Sequence, residues 1–334
     1  MTDPQDTLSK MRAFLPAALP DTIQRVRHFE MKRLVATLEW LNLSSDDVAE
    51  ISQHWDDFRR DDEWAGLLAS LLNQTEVQRG SIDAPIPIWP DLDEWGSSGR
   101  LFYFYLFALA YEGAREFFVG EGTPENVIDR TFDVLARHCA THQRKWGTLG
   151  IDAGWWLLPV LRGELVQVGS LQFHRVTLGV GSLSPFPWYD DHVAATLGDG
   201  FRRGDSSLGL HIPQGADLSP KRLDDTIDEA REVLAQLWPV QQRRLATCMT
   251  WMLDDRLLTF LDAASNIVRF QQRFNVLSEY FDDDADVLDF VFRSPGTALK
   301  ELSQTTTLER AIVEVLSSGG HWHTCTGWFD FDGA

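Results

Sequence analysis

Nine histidines and three cysteines carry most of this chain's capacity for acid–base or covalent chemistry. Two of the histidines stand in strand-like runs of the second half. His174 lies in LQFHRVTLGV, where alternation puts Gln172, His174, Val176 and Leu178 on one face and Phe173, Arg175 and Thr177 on the other. His211 closes the run SSLGLHI, directly before a glycine-containing loop. A neutral imidazole at a strand end can take the proton from an attacking amine or alcohol. The plainer alternative for each is a core or half-buried histidine bonded to a carbonyl. Cys248 lies in LATCMTWML. Its thiol can form an acyl-enzyme only beside a base and an oxyanion site, and a lone cysteine is more often a small core residue.

Further polar groups follow in the last third. Asn266 and Arg273 are seven residues apart and share a helix face, which suits an acceptor carboxylate; they equally suit a break in that helix at Ser265. His321 and His323 flank Trp322 and point the same way in a strand. An H-x-H pair supplies two metal ligands, but no third has diagnostic spacing, so a site-lining pair is expected and no metal. Trp251, Trp322 and Trp328 can wall an apolar pocket or simply fill a core. No P-loop, GxSxG, HExxH or dinucleotide fingerprint is present.

These residues need elements to hold them. Of 334 residues, 44% are hydrophobic and 24% charged, which is ordinary for a globular chain of about two domains. Residues 1–150 are mostly helical in pattern. The segment 21–42 keeps helical spacing, Ser44 caps a helix that follows, another covers 63–74, and the apolar run 101–118 is a central helix. Residues 81–95 hold three prolines and predict a connector. Thr123 and Pro124 open a helix ending near Gly147. After residue 150 the period changes. Strands are expected at 155–169, 171–181, 206–212, 245–253, 286–293 and 321–331, with helices opened by Ser219-Pro220, Asp254 and the T-x-x-E box at Thr306. The fold class is therefore α+β: a helical domain over 1–150, then a mixed-sheet α/β domain over 151–334.

The net charge of −20 lacks the basic footprint of nucleic-acid binding and opposes docking on anionic membranes. Cys139, Cys248 and Cys325 are too few and too scattered for a disulfide framework, and the polar N-terminus has no signal-peptide pattern, so a cytoplasmic location is expected.

The order of hairpin, strand, helix, then β-α-β and a last strand resembles the GNAT superfamily of N-acyltransferases. The stretches LQFHRVTLGVG, LGLHIPQGADLSP, CMTWMLDD, SNIVRFQQRF, DVLDFVFR and TTLERAIVEVLSSGGHWHTCTGWF are similar to those of GNAT-like bacterial acyltransferases that carry a separate helical N-terminal domain. This resemblance implies transfer of an acyl group from a thioester, either a coenzyme A thioester or a phosphopantetheine carrier protein, to an amine or hydroxyl of a small molecule. It implies His211 or His174 as base, with Cys248 as the covalent option, and Trp251, Asn266, Arg273, His321 and His323 near the substrates. The superfamily holds the coenzyme A pyrophosphate on a Q/R-x-x-G-x-G/A loop and the helix N-terminus behind it. Here that loop is residues 211–220. It keeps Gly215 but departs from the motif, and Asp217 opposes phosphate while Lys221 and Arg222 offset it. Gln214, Gly215, Ser219, Lys221 and Arg222 are the donor-binding candidates. The superfamily's C-terminal tyrosine acid has no counterpart, because no tyrosine follows Tyr280. Two other readings stay open: a GNAT scaffold that binds a ligand without catalysis, and an aminoacyl-tRNA-dependent transferase, which the acidic charge disfavours.

Overall fold

A computed structural model describes residues 15–86, 92–180, 197, 201–238 and 245–333. Its first half is helical. The helices are α1 (Pro20–His28), α2 (Met31–Trp40), α3 (Ser45–Arg60), α4 (Asp62–Val77), α5 (Gly96–Gly120), α6 (Glu125–Phe132), α7 (Val134–Trp146) and α8 (Leu157–Leu161). The second half holds β1 (Leu165–Val168), β2 (Leu171–Thr177), β3 (Ser206–His211), α9 (Pro220–Leu237), β4 (Leu245–Thr250), α10 (Leu257–Phe260), α11 (Asn266–Gln271), β5 (Asn275–Asp282), α12 (Asp284–Phe292), α13 (Thr307–Ser317) and β6 (His323–Asp330). The α+β class read from the pattern is the class observed. The chain divides between Val166 and Gln167 into two units.

In the first unit, α5 is the central helix. Every residue from Leu101 to Tyr111 is buried, which is why the run shows no amphipathic stripe. Trp55, Phe58, Phe102 and Tyr105 pack ring to ring around it. The single helix expected over 21–42 is two. Phe29 is extended, its ring meets Trp55 edge-on, and its carbonyl accepts a hydrogen bond from Trp55 Nε1 at 3.1 Å. The indole takes the acceptor that a continuous helix would have used. Ser44 caps α3 as expected, its hydroxyl accepting from the Asp47 amide. The helix after Thr123 starts one residue later, at Glu125 behind Pro124, with no side-chain cap. It breaks at Asp133 and stops at left-handed Gly147. Of the connector over 81–95, residues 81–86 have no regular structure and Leu92–Trp95 form a 3-10 turn; residues 87–91 lie outside the described residues.

The strand expected at 155–169 is mostly helical. A continuous apolar run has no period to separate strand from buried helix, and residues 154–161 coil into a 3-10 turn and α8. Pro159 fits inside this short helix, whose first amides need no intrahelical acceptor. A side chain at Gly154 would collide with the Tyr103 ring, since a Cβ there falls 2.1 Å from Cδ2. Only Leu165–Val168 are strand.

Residues from Leu165 onward form a six-stranded sheet in the order β1-β2-β3-β4-β6-β5. β2 and β3 are antiparallel, β3 and β4 parallel, and β6 runs antiparallel to both β4 and β5. Two expected strands are corrected. Residues 286–293 are helix α12, because the Asp283 carboxylate accepts from the Asp286 amide and starts a helix whose Val287 enters a core with Trp251 and Trp322. In the acidic run 282–286, Asp282 ends β5, Asp283 is the cap and residues 284–286 form the first turn of α12. The fifth strand is instead Asn275–Asp282, which exposes most of its residues and so shows no alternation of apolar side chains. β4 ends at Thr250, whose hydroxyl accepts from the Met252 amide and turns 251–253 into a 3-10 turn. The expected helix over 254–274 is the two short helices α10 and α11, the second capped by Ser265. The box at Thr306 forms fully around α13. Residue 181, at the end of the second expected strand, lies outside the described residues.

Candidate active site

The pairing of β3 with β4 stops early. Ser207, Leu208 and Gly209 pair with Leu245, Ala246 and Thr247, yet β3 runs on to His211 and β4 to Thr250. Two parallel strands therefore part at their C-terminal ends. Below the split the joint is tight: the Ser207 hydroxyl donates to the Leu245 carbonyl at 2.9 Å and lies 3.2 Å from the Thr247 hydroxyl. Beyond it, the facing backbone groups of the two strands have no ladder partner in each other.

Register places side chains on the two faces of this split. His174 is opposite Gly209, and Gln172 is opposite His211. Gly209 is opposite Thr247. One face thus carries Gln172, His174, Ser207, Gly209, His211, Thr247 and Met249. The two imidazoles stand 5.6 Å apart, tilted by 46°. Both lean over Gly209: a Cβ there would lie 3.4 Å from His211 Nε2 and 3.6 Å from His174 Cβ. The shared face of Gln172 and His174 expected from alternation is observed. Burial, and then the neighbouring His174, hold His211 down to about 3. His211 is therefore neutral at pH 7, and the same burial makes it a weaker base than an exposed imidazole.

Cys248 leaves the other face. Its register partner is Gly327, where a Cβ would meet Leu253 and Phe274 at 2.9 Å. The thiol is buried, and burial pushes it up to about 12. It is a protonated core thiol turned away from the histidine pair, and a thiol is not the nucleophile that its thiolate is.

The loop after β3 leads to the N-terminus of α9. Gly215 takes a φ of +74° in a turn closed by the Ala216 amide on the Pro213 carbonyl, with Gln214 before it. Ser219 is the N-cap by backbone geometry but makes no side-chain cap bond. Asp217 instead accepts from the Ser219 amide at 2.9 Å, and that bond lowers the Asp217 carboxyl. Pro220 has no N–H and the Leu223 amide is taken by the Ser219 carbonyl, so the amides of Lys221 and Arg222 point out of the helix start. Lys221 is largely exposed and paired with Asp225; Arg222 is exposed.

Arg273 belongs to this end of the fold. Its Nη2 donates to the Pro220 carbonyl at 3.2 Å and to Asp224 Oδ1 at 2.6 Å. Expected beside an acceptor carboxylate, it stands at the helix start. Asn266, expected with it, is an exposed first residue of α11.

The remaining candidates lie apart from the split. Trp251 packs with Leu257, Ile312 and Trp322 in a separate core, because β4 turns before reaching it. His321 lies outside β6 and bonds Asp284 Oδ2 at 2.8 Å, a contact that raises the imidazole above its usual value. His323 is in β6, stacked on Tyr280 with centroids 3.9 Å apart, and its Nε2 accepts from Arg256 Nη2 at 2.9 Å. The two histidines therefore do not form a pair. Among the described residues no group of three or more His, Cys, Asp or Glu is placed to hold a metal ion, and no helix is long and apolar enough to cross a membrane.

Two residues at the split went unnoticed in the sequence. Met249 is on an interior strand yet 44% exposed, and its register partner Thr326 is 1% exposed. Neither type is a signal by itself; only the β4–β6 pairing brings them to the row of His211.

Residues 32–163 match the model of the N-acyltransferase N-terminal domain, and residues 165–329 match that of the GNAT-like C-terminal domain. Several solved structures are similar over nearly the whole chain. An acyltransferase in complex with CoA and 10C-teicoplanin is 29% identical with a TM-score of 0.77, covering 97% of this chain and 94% of that one. An acyltransferase in complex with decanoyl-CoA and teicoplanin is 29% identical with a TM-score of 0.76 and the same coverage. A mutant acyltransferase in complex with octanoyl-CoA is 28% identical with a TM-score of 0.76, covering 96% and 93%. No curated protein matches the chain.

Proposed function

As a member of the GNAT-like N-acyltransferase family this chain is an acyltransferase, and we propose that it moves a medium-chain acyl group from coenzyme A to a small-molecule amine or hydroxyl by direct attack. The observation that carries the reading is the parting of β3 from β4 beside the His174–His211 pair. Backbone groups left without a ladder partner suit an extended, amide-bearing arm, which adds to a strand edge as a peptide would. The amides of Lys221 and Arg222 at the start of α9 suit a pyrophosphate, with the turn at Gln214-Gly215 and the Arg273 guanidinium beside it. At such a point the amides of Lys221 and Arg222 and the Arg273 guanidinium, rather than the net charge of −20, set the local field.

The acceptor's N–H or O–H loses its proton to His211 as its lone pair attacks the acyl carbon. The carbonyl electron pair moves to oxygen and returns as the C–S bond breaks. The leaving thiolate takes the proton, giving free coenzyme A and the amide or ester. His174 sits next to His211, the two ring centroids 5.6 Å apart. The similar structures that hold octanoyl-CoA or decanoyl-CoA support a donor of that length. They favour coenzyme A over a carrier protein.

The test is release of thiol by the purified chain from acetyl-, hexanoyl-, octanoyl- and decanoyl-CoA, and from decanoyl carrier protein, with glucosamine, an aminoglycoside and teicoplanin as acceptors. Acceptor-dependent release greatest at eight to ten carbons is expected. No release from any acyl-CoA, or release from the carrier protein alone, overturns the reading.

A further inference from the structure

The sheet face that carries His211 has one hydroxyl whose hydrogen-bonding capacity the fold leaves unused. Four hydroxyl residues of β3, β4 and β6 project from that face. Ser207 and Thr247 bond each other and neighbouring carbonyls. Thr324 donates to Asp283 Oδ2. Thr326 is 1% exposed, and its Oγ1 has no hydrogen-bond partner. Burial of a hydroxyl without a partner opposes folding, so such a group in a native core calls for a partner the chain itself does not supply.

Its place in the register says where that partner would be. Gln172 is opposite His211 across β2 and β3, and Met249 is opposite Thr326 across β4 and β6. These four residues form one row over the face, interrupted between His211 and Met249 by the split. His211 therefore flanks the opening from one side and Thr326 from the other, with Met249 between. Met249 is 44% exposed although β4 has strands on both sides, so this stretch of the face is open above it. Neighbouring strands lie about 4.8 Å apart, which puts Thr326 within reach of a group resting over Met249.

We propose that the Thr326 hydroxyl donates a hydrogen bond to the carbonyl oxygen of the acyl group under transfer, opposite the proton-taking His211. The inference rests on the acyl-CoA reading above. In that reading the carbonyl oxygen gains negative charge as the acceptor attacks and loses it as the C–S bond breaks. A donor held dry in the sheet stabilises that charge more than it stabilises the ground-state carbonyl. Thr326 transfers no proton in the step; the proton passes from the acceptor to His211 and on to the thiolate.

The test compares the wild type with T326V, which keeps the shape and removes the hydroxyl, and T326S, which restores it. Turnover is measured with decanoyl-CoA and the acceptor that serves the wild type, and decanoyl-CoA binding is measured separately by calorimetry. The expected result is a kcat lowered on the order of 10²-fold in T326V, decanoyl-CoA affinity changed less than threefold, and most of the rate recovered in T326S. An unchanged kcat in T326V, or a loss that lies only in decanoyl-CoA binding, overturns the inference while leaving the acyl-CoA reading intact. A wild type that neither binds nor turns over decanoyl-CoA overturns that reading and this inference with it.

Discussion

Replacing Arg162 by methionine tests how the end of the first unit is held. The guanidinium is 1% exposed and pairs with Glu164, itself 2% exposed, through Nε to Oε1 at 2.7 Å and Nη2 to Oε2 at 3.2 Å. It also donates to Gln78 Oε1 at 3.1 Å and to the carbonyls of Pro85 and Ala84 at 3.3 and 3.4 Å. Desolvation outweighs pairing for both partners: the arginine is lowered and the Glu164 carboxyl is pushed up to about 7. Arg162→Met removes the one cation and strands a buried carboxylate and two carbonyls. Breaking a buried pair from one side costs about 3–5 kcal/mol. At roughly 2–4 °C per kcal/mol for a unit of this size, the melting point falls by on the order of 10 °C. The loss depends on pH with a definite sign. A carboxyl raised in the folded state contributes stability below its unfolded pKa, about 4.3, and loses it as pH climbs through the folded value. Without Arg162 the folded value rises further, so the deficit is largest at pH 8.5 and shrinks towards pH 5.5, where Glu164 is protonated. Arg162→Met with Glu164→Leu recovers most of the loss, since no charge is left to bury. Urea unfolding at both pH values gives the answer. A single variant within about 1 kcal/mol of wild type, or a deficit equal at the two pH values, refutes the reasoning.

Three other outcomes follow from the site. Cys248→Ala retains turnover within twofold and mass spectrometry of the wild type finds no acyl group on the thiol; an acyl-Cys248 adduct contradicts the core placement. His211 is lowered on folding, so its contribution to stability is present above its unfolded pKa of about 6.5 and is lost as pH falls towards 3. His211→Gln therefore flattens the decline of stability between pH 6.5 and 4.5 by up to about 1.4 kcal/mol per unit, and parallel curves for variant and wild type refute it. Arg273→Ala frees Asp224 beside the start of α9 and weakens decanoyl-CoA binding about tenfold, with a shallower salt dependence. Affinity unchanged by titration calorimetry places Arg273 outside the donor site.

Helix starts in both halves were legible where their signals are local. Ser44 precedes a run of helical spacing and caps α3, and T-x-x-E at Thr306 forms its box, since cap and recipient lie within one turn. The break at Phe29 was hidden, because Trp55 is 26 residues away and claims the carbonyl from another helix. The exchange of strand and helix between 275 and 293 has a related cause. Residues 286–293 set Asp286, Asp289 and Arg293 among five apolar residues, a short run that fits either period, while β5 lies at the sheet edge with most of its side chains exposed and carries no apolar alternation.

The candidate site divides along the same line. The residues themselves determined the family resemblance, the α+β class, the shared face of Gln172 and His174, and the loop that feeds the start of α9, since each is a matter of order and spacing along the chain. Which groups meet was decided by tertiary structure alone. His174 and His211 are 37 positions apart and adjacent only because β2 and β3 pair in one register, and a slip of one residue would send each imidazole to the opposite face. Arg273 reached the start of α9 through Asp224 and Pro220, and Thr326 joined the row of His211 through Met249. Strand register and the point where β3 leaves β4 are long-range properties of packing, and no local pattern of side chains encodes them.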